Sequence, residues 1–553
     1  MLFVEFANVC EQVAATTKKL EKAALLKAFF AQLTDADLML AARFFAGTPF
    51  PLSDQRVLNV GGAVIRDAVI VLTQAEPGVW SRLVVEHGET GRAAQLLLPG
   101  HVATVPTLTL ADLMAIYEQL QTARGPSKKL PIIVATLERL TPLEGVYFIK
   151  LMLGGDLRIG LQEGLVEDAL ARAVEVPVAQ VQRANMLIGD IGETAVLARH
   201  GRLDEAQMRL FHPLKFMLAS PIAEPEEIRK NIAGPFFAED KYDGVRAQAH
   251  KQGDRVALYS RTLDEITHRF PEVVAALSRL PGEWILDGEI LAAREGQILP
   301  FKALQARLGR KDVSAELLEQ TPVVFIGYDI LYQDGAVLLD DPLYMRRVRL
   351  EDLILPYGGE QPLDGVIAAT VVPSLQLLIK HIDRIDLLFD QARARGNEGL
   401  MIKDPDSRYK PGRRGREWLK VKKALATLDV VVTAAEVGNG ARRRFLSDYT
   451  FAVRRSADDP ELLNVGKAYS GLTDAEIQEL TDWFTAHTIR DFGRVKLVEP
   501  EIVLEIAFDT VQPSARHKSG YALRFPRIVR WRRDKSAAEI DTLETVQQIA
   551  EST

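Results

Sequence analysis

Glu239-Asp240-Lys241-Tyr242-Asp243-Gly244-Val245-Arg246 marks the point at which the periodicity of the chain changes. Before it, apolar residues recur at three-to-four spacing, as in residues 20–33 (LEKAALLKAFFAQL) and 164–175 (GLVEDALARAVE), the signature of amphipathic helices. After it the period is two. Residues 234–251, 255–261, 282–292, 322–332, 399–404 and 416–423 read as strands bounded by Gly, Asp or Pro, with helical stretches at 270–280 and 383–396 between them. The octapeptide also carries chemistry. A lysine at a strand end followed by Asp-Gly suits nucleophilic work, because Gly244 lets backbone approach a phosphate and neighbouring cations lower an amine's pKa. A K-x-D-G string alone is weak, arising by chance in about one chain in ten of this length.

Working outward, residues 1–215 are expected to form an all-α part, with breaks and turns at 53–98 and 126–129 and a helix stop at Gly154-Gly155. Residues 211–225 (FHPLKFMLASPIAEP) read as a linker, since Pro213, Pro221 and Pro225 cannot continue a helix. Residues 216–424 are expected to be an α+β domain. Residues 425–553 read as a short-stranded β-barrel with one inserted helix at 472–488. The linkers near 215 and 425 are candidate hinges.

The 553 residues suffice for three or four domains, and 47% hydrophobic with 26% charged residues fits a folded chain. No apolar run reaches the roughly 18–20 residues of a membrane helix. Glu5 and Glu11 stand where a signal peptide has basic residues, so a cytoplasmic location is expected. The single cysteine, Cys10, can form neither an internal disulfide nor a cysteine-rich zinc site. A net charge of −7 argues against a nucleic-acid partner, yet residues 403–423 hold nine basic against three acidic side chains, and 516–535 eight against one.

Downstream of Lys241, alternation places Asp287 and Glu289 of WILDGEI on one face, suited to a ribose hydroxyl or a divalent metal. Glu398 in NEGLMIK supplies another acid. Either glutamate could equally face solvent. Trp418, Lys420 and Lys422 share a face, where paired lysines call for an anion or defend a sheet edge. Arg261 and Arg414 offer forked donors for phosphate, or partners for surface carboxylates.

The order KYDGVR, YSR, LDGEI, YDILY, EGLMIK, REWLKVKK, LRFPRIVRWRRDK resembles the motif series of ATP-dependent DNA ligases. Residues 148–164 and 213–221 extend the resemblance to the helical DNA-binding domain of the larger members and the segment joining it to the core. The resemblance implies a helical DNA-binding domain, an adenylation domain and an OB-fold domain over 1–215, 216–424 and 425–553. It implies ATP and Mg²⁺ as cofactors and nicked duplex DNA as substrate, encircled by a monomer. Lys241 would attack the α-phosphate and hold AMP. Glu239 would contact the adenine amino group, Arg246 and Arg261 the ribose and nick phosphate, and Glu289 and Glu398 the ribose and Mg²⁺. Lys420 and Lys422 would clamp the α-phosphate with Arg414 nearby. Tyr328, where the family commonly has Phe, would stack on adenine or serve as a core tyrosine. Arg524, Arg527, Arg530, Arg532 and Asp534 resemble the last motif, which orients pyrophosphate.

An NAD-dependent ligase shares the nucleophilic lysine but normally carries a four-cysteine zinc module that this chain cannot make. RNA ligases and capping guanylyltransferases share the core, and the amino-terminal domain disfavours them. A non-catalytic DNA-end binder is the alternative outside enzymology, although every catalytic-type side chain is present.

Overall fold

The computed structural model describes residues 1–51, 54–222, 224–308, 310, 313–359, 367, 369–421, 426–438, 442 and 444–551. Contacts divide the chain into two compact units, residues 1–220 with 229–419, and residues 221–228 with 420–553.

The first unit opens with helices running from Phe3–Ala15 to Ile191–Arg199. Helix Pro142–Leu153 is buried on almost every side. Thr141 and Glu144 form a reciprocal capping box at its start, and Gly154, at φ +72°, ends it where the Gly-Gly pair predicted a stop. Its Tyr147 meets Phe6 at 6.4 Å between ring centroids, and Phe6 in turn packs on Phe44 and Phe45 at 5.9 and 4.6 Å. The expected breaks at 53–98 and 126–129 are largely helical instead: Gly62–Thr73, Pro77–His87, Thr90–Leu97 and Pro126–Arg139. Pro77 and Pro126 sit in the first turn, where a missing N–H costs nothing and the fixed φ favours the helix. Cys10 is fully buried here and burial pushes its thiol pKa well up. A thiol reagent is therefore expected to label no cysteine in the native protein and one in denaturant, read by absorbance.

The linker is not loose. Phe211 N–H donates to His250 Nδ1 at 2.9 Å, and Tyr259 Oη donates to Phe211 O at 3.1 Å. Leu214 N–H donates to Gln248 Oε1 at 2.8 Å, and Met217 N–H to Tyr409 Oη at 3.1 Å. These bonds tie 211–217 to strands Val245–Gln252 and Arg255–Ser260 and to Tyr409. The chain then forms strand Leu218–Ile222, with Pro221 tolerated because the strand lies at a sheet edge. Burial holds the His250 imidazolium off, lowering its pKa to about 3, with His212 and Arg255 adding repulsion. Unfolding therefore takes up one extra proton between pH 6.5 and 3, and stability falls as pH drops through that window. His250→Gln is expected to flatten the unfolding free energy against pH by about 1.4 kcal/mol per unit between pH 6 and 4, measured by urea titration.

Two sheets follow. One has the order Leu218–Ile222, Arg414–Val421, Gly399–Lys403, Phe236–Lys241, Gln376–Ile379. The other runs Arg255–Ser260, Val245–Gln252, Trp284–Arg294, Val323–Gln333, Ala336–Val337, with Val371–Pro373 parallel to Val323–Gln333. The expected α+β mixture is present, with Lys241 ending a strand of one sheet and Val245 opening a strand of the other.

In the second unit, Ala426–Val437 pairs with Leu446–Arg454 on one side; on the other, its first half pairs with Val503–Phe508 and its second with Val495–Val498. Register shifts near Val432 and Glu436 interrupt its pairing with Leu446–Arg454, as β-bulges do. The inserted helix, Asp474–Ala486, starts at a Thr473/Glu476 capping box and buries Ile477, Leu480 and Phe484. The boundary drawn at 424 lies outside the described residues.

Candidate active site

Lys241 is the last residue of strand Phe236–Lys241, one-fifth exposed, and its Nζ donates to Glu398 Oε2. The two are brought together by backbone pairing: Lys241 lies opposite Gly399, and Glu398 N–H donates to Lys241 O at 2.8 Å. The lysine's immediate partner is thus a carboxylate, not the cation expected from sequence. Gly244 also has another reason than an approaching phosphate. A Cβ there would lie 2.4 Å from Ile290 O, so its hydrogen is what lets strand Trp284–Arg294 pass.

Glu239 points to the same face two residues earlier and is 2% exposed. Its Oε2 accepts from Lys403 Nζ at 2.8 Å and Ser374 Oγ at 3.3 Å, and its Oε1 accepts from Gln376 Nε2 at 2.7 Å. A carboxylate has about four lone-pair sites, so these described bonds leave room for one further donor. Lys403, which sequence reading counted only as one charge among nine, sits 4.8 Å from the Tyr328 ring and 4.4 Å from that of Trp418.

On the adjoining sheet, Arg246 faces Glu289 and reaches diagonally to Asp287, with Nε–Oδ1 3.1 Å and Nη2–Oδ2 2.7 Å. Tyr409 Oη donates to the same Asp287 Oδ2 at 2.7 Å, so the fully buried carboxylate is held by both Arg246 and Tyr409. Burial pushes the Glu289 carboxyl up to about 8; Arg246 and Lys241 oppose the rise, and Asp287 and Glu398 add to it. Among the described residues no three His, Cys, Asp or Glu side chains converge as a metal site; Glu289, with Asp287 and Glu398 as charged neighbours, offers oxygen donors of the kind a hard cation takes.

Tyr328 occupies a bulge: Asp287 pairs with Asp329 and Gly288 with Gly327, leaving Tyr328 as the extra residue. Its ring lies 5.6 Å from the Arg246 guanidinium. Asp329 behind it forms a bidentate pair with Arg346 at 2.7 and 2.9 Å, both side chains without exposure.

Arg261 and Arg414 are exposed. The turn after Arg261 is held from the helical part by Gln55, whose Nε2 donates to Leu263 O at 3.1 Å and whose Oε1 accepts Glu265 N–H at 2.8 Å. Lys420 lies on strand Arg414–Val421 where the two units divide, and Lys422 lies outside the described residues. In the second unit, Arg532 pairs with Asp429 at 3.0 Å and with Asp534 at 2.7 and 2.9 Å, Arg530 with Glu505 at 2.6 Å and Arg527 with Asp509 at 3.4 Å. The Arg532 guanidinium holds the exposed Asp534 carboxyl well below the usual range.

Three family models match in chain order: the DNA ligase N terminus over 2–171, the ATP dependent DNA ligase domain over 216–422 and the ATP dependent DNA ligase C terminal region over 442–535. A probable DNA ligase of Koribacter versatilis is 46% identical over 562 residues, spanning 99% of this chain and 96% of its own. The chain belongs to the ATP-dependent DNA ligases. A DNA ligase of Archaeoglobus fulgidus is 33% identical over 99% of this ligase and 98% of that one. Two solved structures, Pmar-Lig_PreS3 and Pmar-Lig_Pre, share the fold, with TM-scores of 0.61 and 0.62 at 18% and 17% identity, over 95% and 96% of this ligase and 99% of each. The activity of the family is ATP-dependent sealing of nicks in DNA through adenylate intermediates. No helix among the described residues is long and apolar enough to cross a membrane.

Proposed function

We propose that Lys241 is the nucleophile of this ligase, on the strength of one arrangement: its Nζ against the Glu398 carboxylate, with the half-buried Glu289 within electrostatic reach of both. Before attack the ammonium must lose a proton to solvent, which reaches the one-fifth-exposed side chain, while Glu398 Oε2 in contact with it orients the amine. The Nζ lone pair then forms the N–P bond to the α-phosphorus of ATP while the P–O bond to the β-phosphate breaks. Pyrophosphate leaves with that electron pair. Glu289 and Glu398 would hold Mg²⁺, which when bound offsets phosphate charge. Glu239 has one acceptor site left for the adenine amino group, and the Tyr328 ring offers a stacking face. Arg246 and Arg261 serve the ribose and nick phosphate.

Lys420, Lys422 and Arg414 clamp the α-phosphate. Arg527, Arg530, Arg532 and Asp534 belong to an OB-fold domain that orients pyrophosphate. In this reading residues 1–215 bind DNA, 216–424 carry adenylation and 425–553 form the OB-fold. The protein acts in the cytoplasm as a monomer around nicked duplex. The test is to mix it with Mg²⁺ and either α-labelled ATP or labelled NAD, then with nicked DNA or nicked RNA. Label retained on the denatured chain from ATP, and sealing of DNA in preference to RNA, is expected. Label from NAD, or faster sealing of RNA, contradicts the reading.

A further inference from the structure

Asp240 precedes Lys241, and alternation turns it to the opposite face of the strand. Its carboxylate is buried and engaged on both oxygens: Arg395 Nε donates to Oδ2 at 2.8 Å, Arg395 Nη2 to Oδ1 at 2.7 Å, and Asn397 Nδ2 to Oδ2 at 2.9 Å. Arg395 and Asn397 lie in the turn that leaves helix Ile385–Ala394. Gly396 there takes φ +82°, and Asn397 N–H closes back onto Ala392 O at 3.0 Å. The next residue is Glu398, whose N–H meets Lys241 O and whose carboxylate meets Lys241 Nζ. Adjacent residues of one strand therefore grip one turn at two points. Lys241 holds its end through backbone and side chain, and Asp240 holds its body through a forked ion pair and an amide.

We propose that Asp240 is a positioning residue for lysine adenylation: through Arg395 and Asn397 it fixes the turn that presents the Glu398 carboxylate to Lys241. Asn397 and Glu398 lie between the helix end and strand Gly399–Lys403, outside both, which by itself leaves the direction of the Glu398 side chain soft. A bidentate guanidinium–carboxylate contact, both groups mostly withdrawn from solvent, sets distance and plane together. Groups that orient a metal-binding carboxylate govern its affinity for the metal without touching it. Asp240 stands in that relation to Glu398. The inference rests on the reading that Glu398 serves Lys241 in adenylation.

The test compares full-length Asp240→Asn, Arg395→Lys, their double variant and Glu398→Gln. Three quantities decide it: hydrogen exchange of the amides at 395–399 in the ligand-free protein, the Mg²⁺ concentration that half-saturates lysyl-AMP formation at saturating ATP, and the thermal midpoint. Exchange at 395–399 is expected to quicken about 10-fold in Asp240→Asn and Arg395→Lys, with other segments unchanged. Half-saturating Mg²⁺ is expected to rise about 10-fold, the scale of outer-shell partners, while the KM for ATP stays within about 2-fold. The double variant should be no worse than the worse single one, since both cut one linkage. A lowered midpoint with unchanged exchange and Mg²⁺ dependence makes Asp240 merely stabilising and overturns the proposal. Should Asp240→Asn not fold, Arg395→Lys, which keeps the charge and loses the fork, decides alone. An impaired Glu398→Gln beside normal Asp240 and Arg395 variants refutes positioning only. A Glu398→Gln with wild-type Mg²⁺ dependence removes the reading of Glu398 and the proposal with it.

Discussion

Lys241→Ala is expected to end covalent capture of AMP, with a loss on the order of 10⁴-fold or more, the scale of removing a covalent nucleophile. Lys403, close by in the sheet, is no substitute: it is 2% exposed and spent on Glu239. Lys241→Arg should fail equally, because a guanidinium stays protonated and carries no free lone pair. The fold should survive, since the side chain stands at a strand end and its loss opens no core cavity. The chemistry divides the steps further. A nick that already bears a 5′-adenylate needs only attack by its 3′-hydroxyl and departure of AMP, neither of which uses the lysine amine. The alanine variant is therefore expected to seal pre-adenylated nicks while taking up no label from α-labelled ATP, both read on denaturing gels. Capture of AMP by this variant would place the nucleophile elsewhere.

What the sequence disclosed was whatever depends on short range. Lys241 at a strand end, Glu239 on its face and the motif strands around them follow from alternation over a few residues. The stop at Gly154 follows from the left-handed φ that glycine tolerates. What it hid depends on partners far away. The bonds of Asp240 to Arg395 and of Lys403 to Glu239 span 155 and 164 residues, and no local period encodes them. A faint signal existed for Lys403, a lysine closing the apolar run Leu400-Met401-Ile402, which burial makes costly without an anion. Tyr328 was legible as an aromatic residue and illegible as a bulge, because a bulge breaks the very alternation used to read a strand. Pro126 was noticed for the right chemistry and assigned the wrong consequence, since it starts a helix, while Gly244 gains a second reason in the passage of the neighbouring strand.

On the role proposed for Tyr328, that bulge links stability to nucleotide binding, through the second large effect expected here. Asp329 and Arg346 are a fully buried ion pair, and Arg346 Nη1 also donates to Ser407 O at 3.0 Å. Taking both charges from water is costly, and their attraction offsets that cost only while both are present. Arg346→Ala leaves the Asp329 carboxylate buried without its partner and is expected to cost about 3–5 kcal/mol, measured from urea unfolding. Removing both charges is different in kind. Asp329→Leu with Arg346→Met replaces the pair by apolar volume and is expected to recover more than half of that loss, the pattern seen when buried pairs are exchanged for packing. The two variants also separate folding from function. Asp329 supplies the residue that follows the bulge, and its Oδ1 accepts Ile330 N–H at 2.9 Å, so its carboxylate helps set the backbone that aims the Tyr328 ring. The double variant should therefore regain stability yet keep a KM for ATP raised several-fold, because it restores packing without the oxygen that fixes the bulge. Recovery of both quantities together would mean that the pair holds the sheet and nothing more, and that Tyr328 is aimed by the cations at its ring, Arg246 and Lys403.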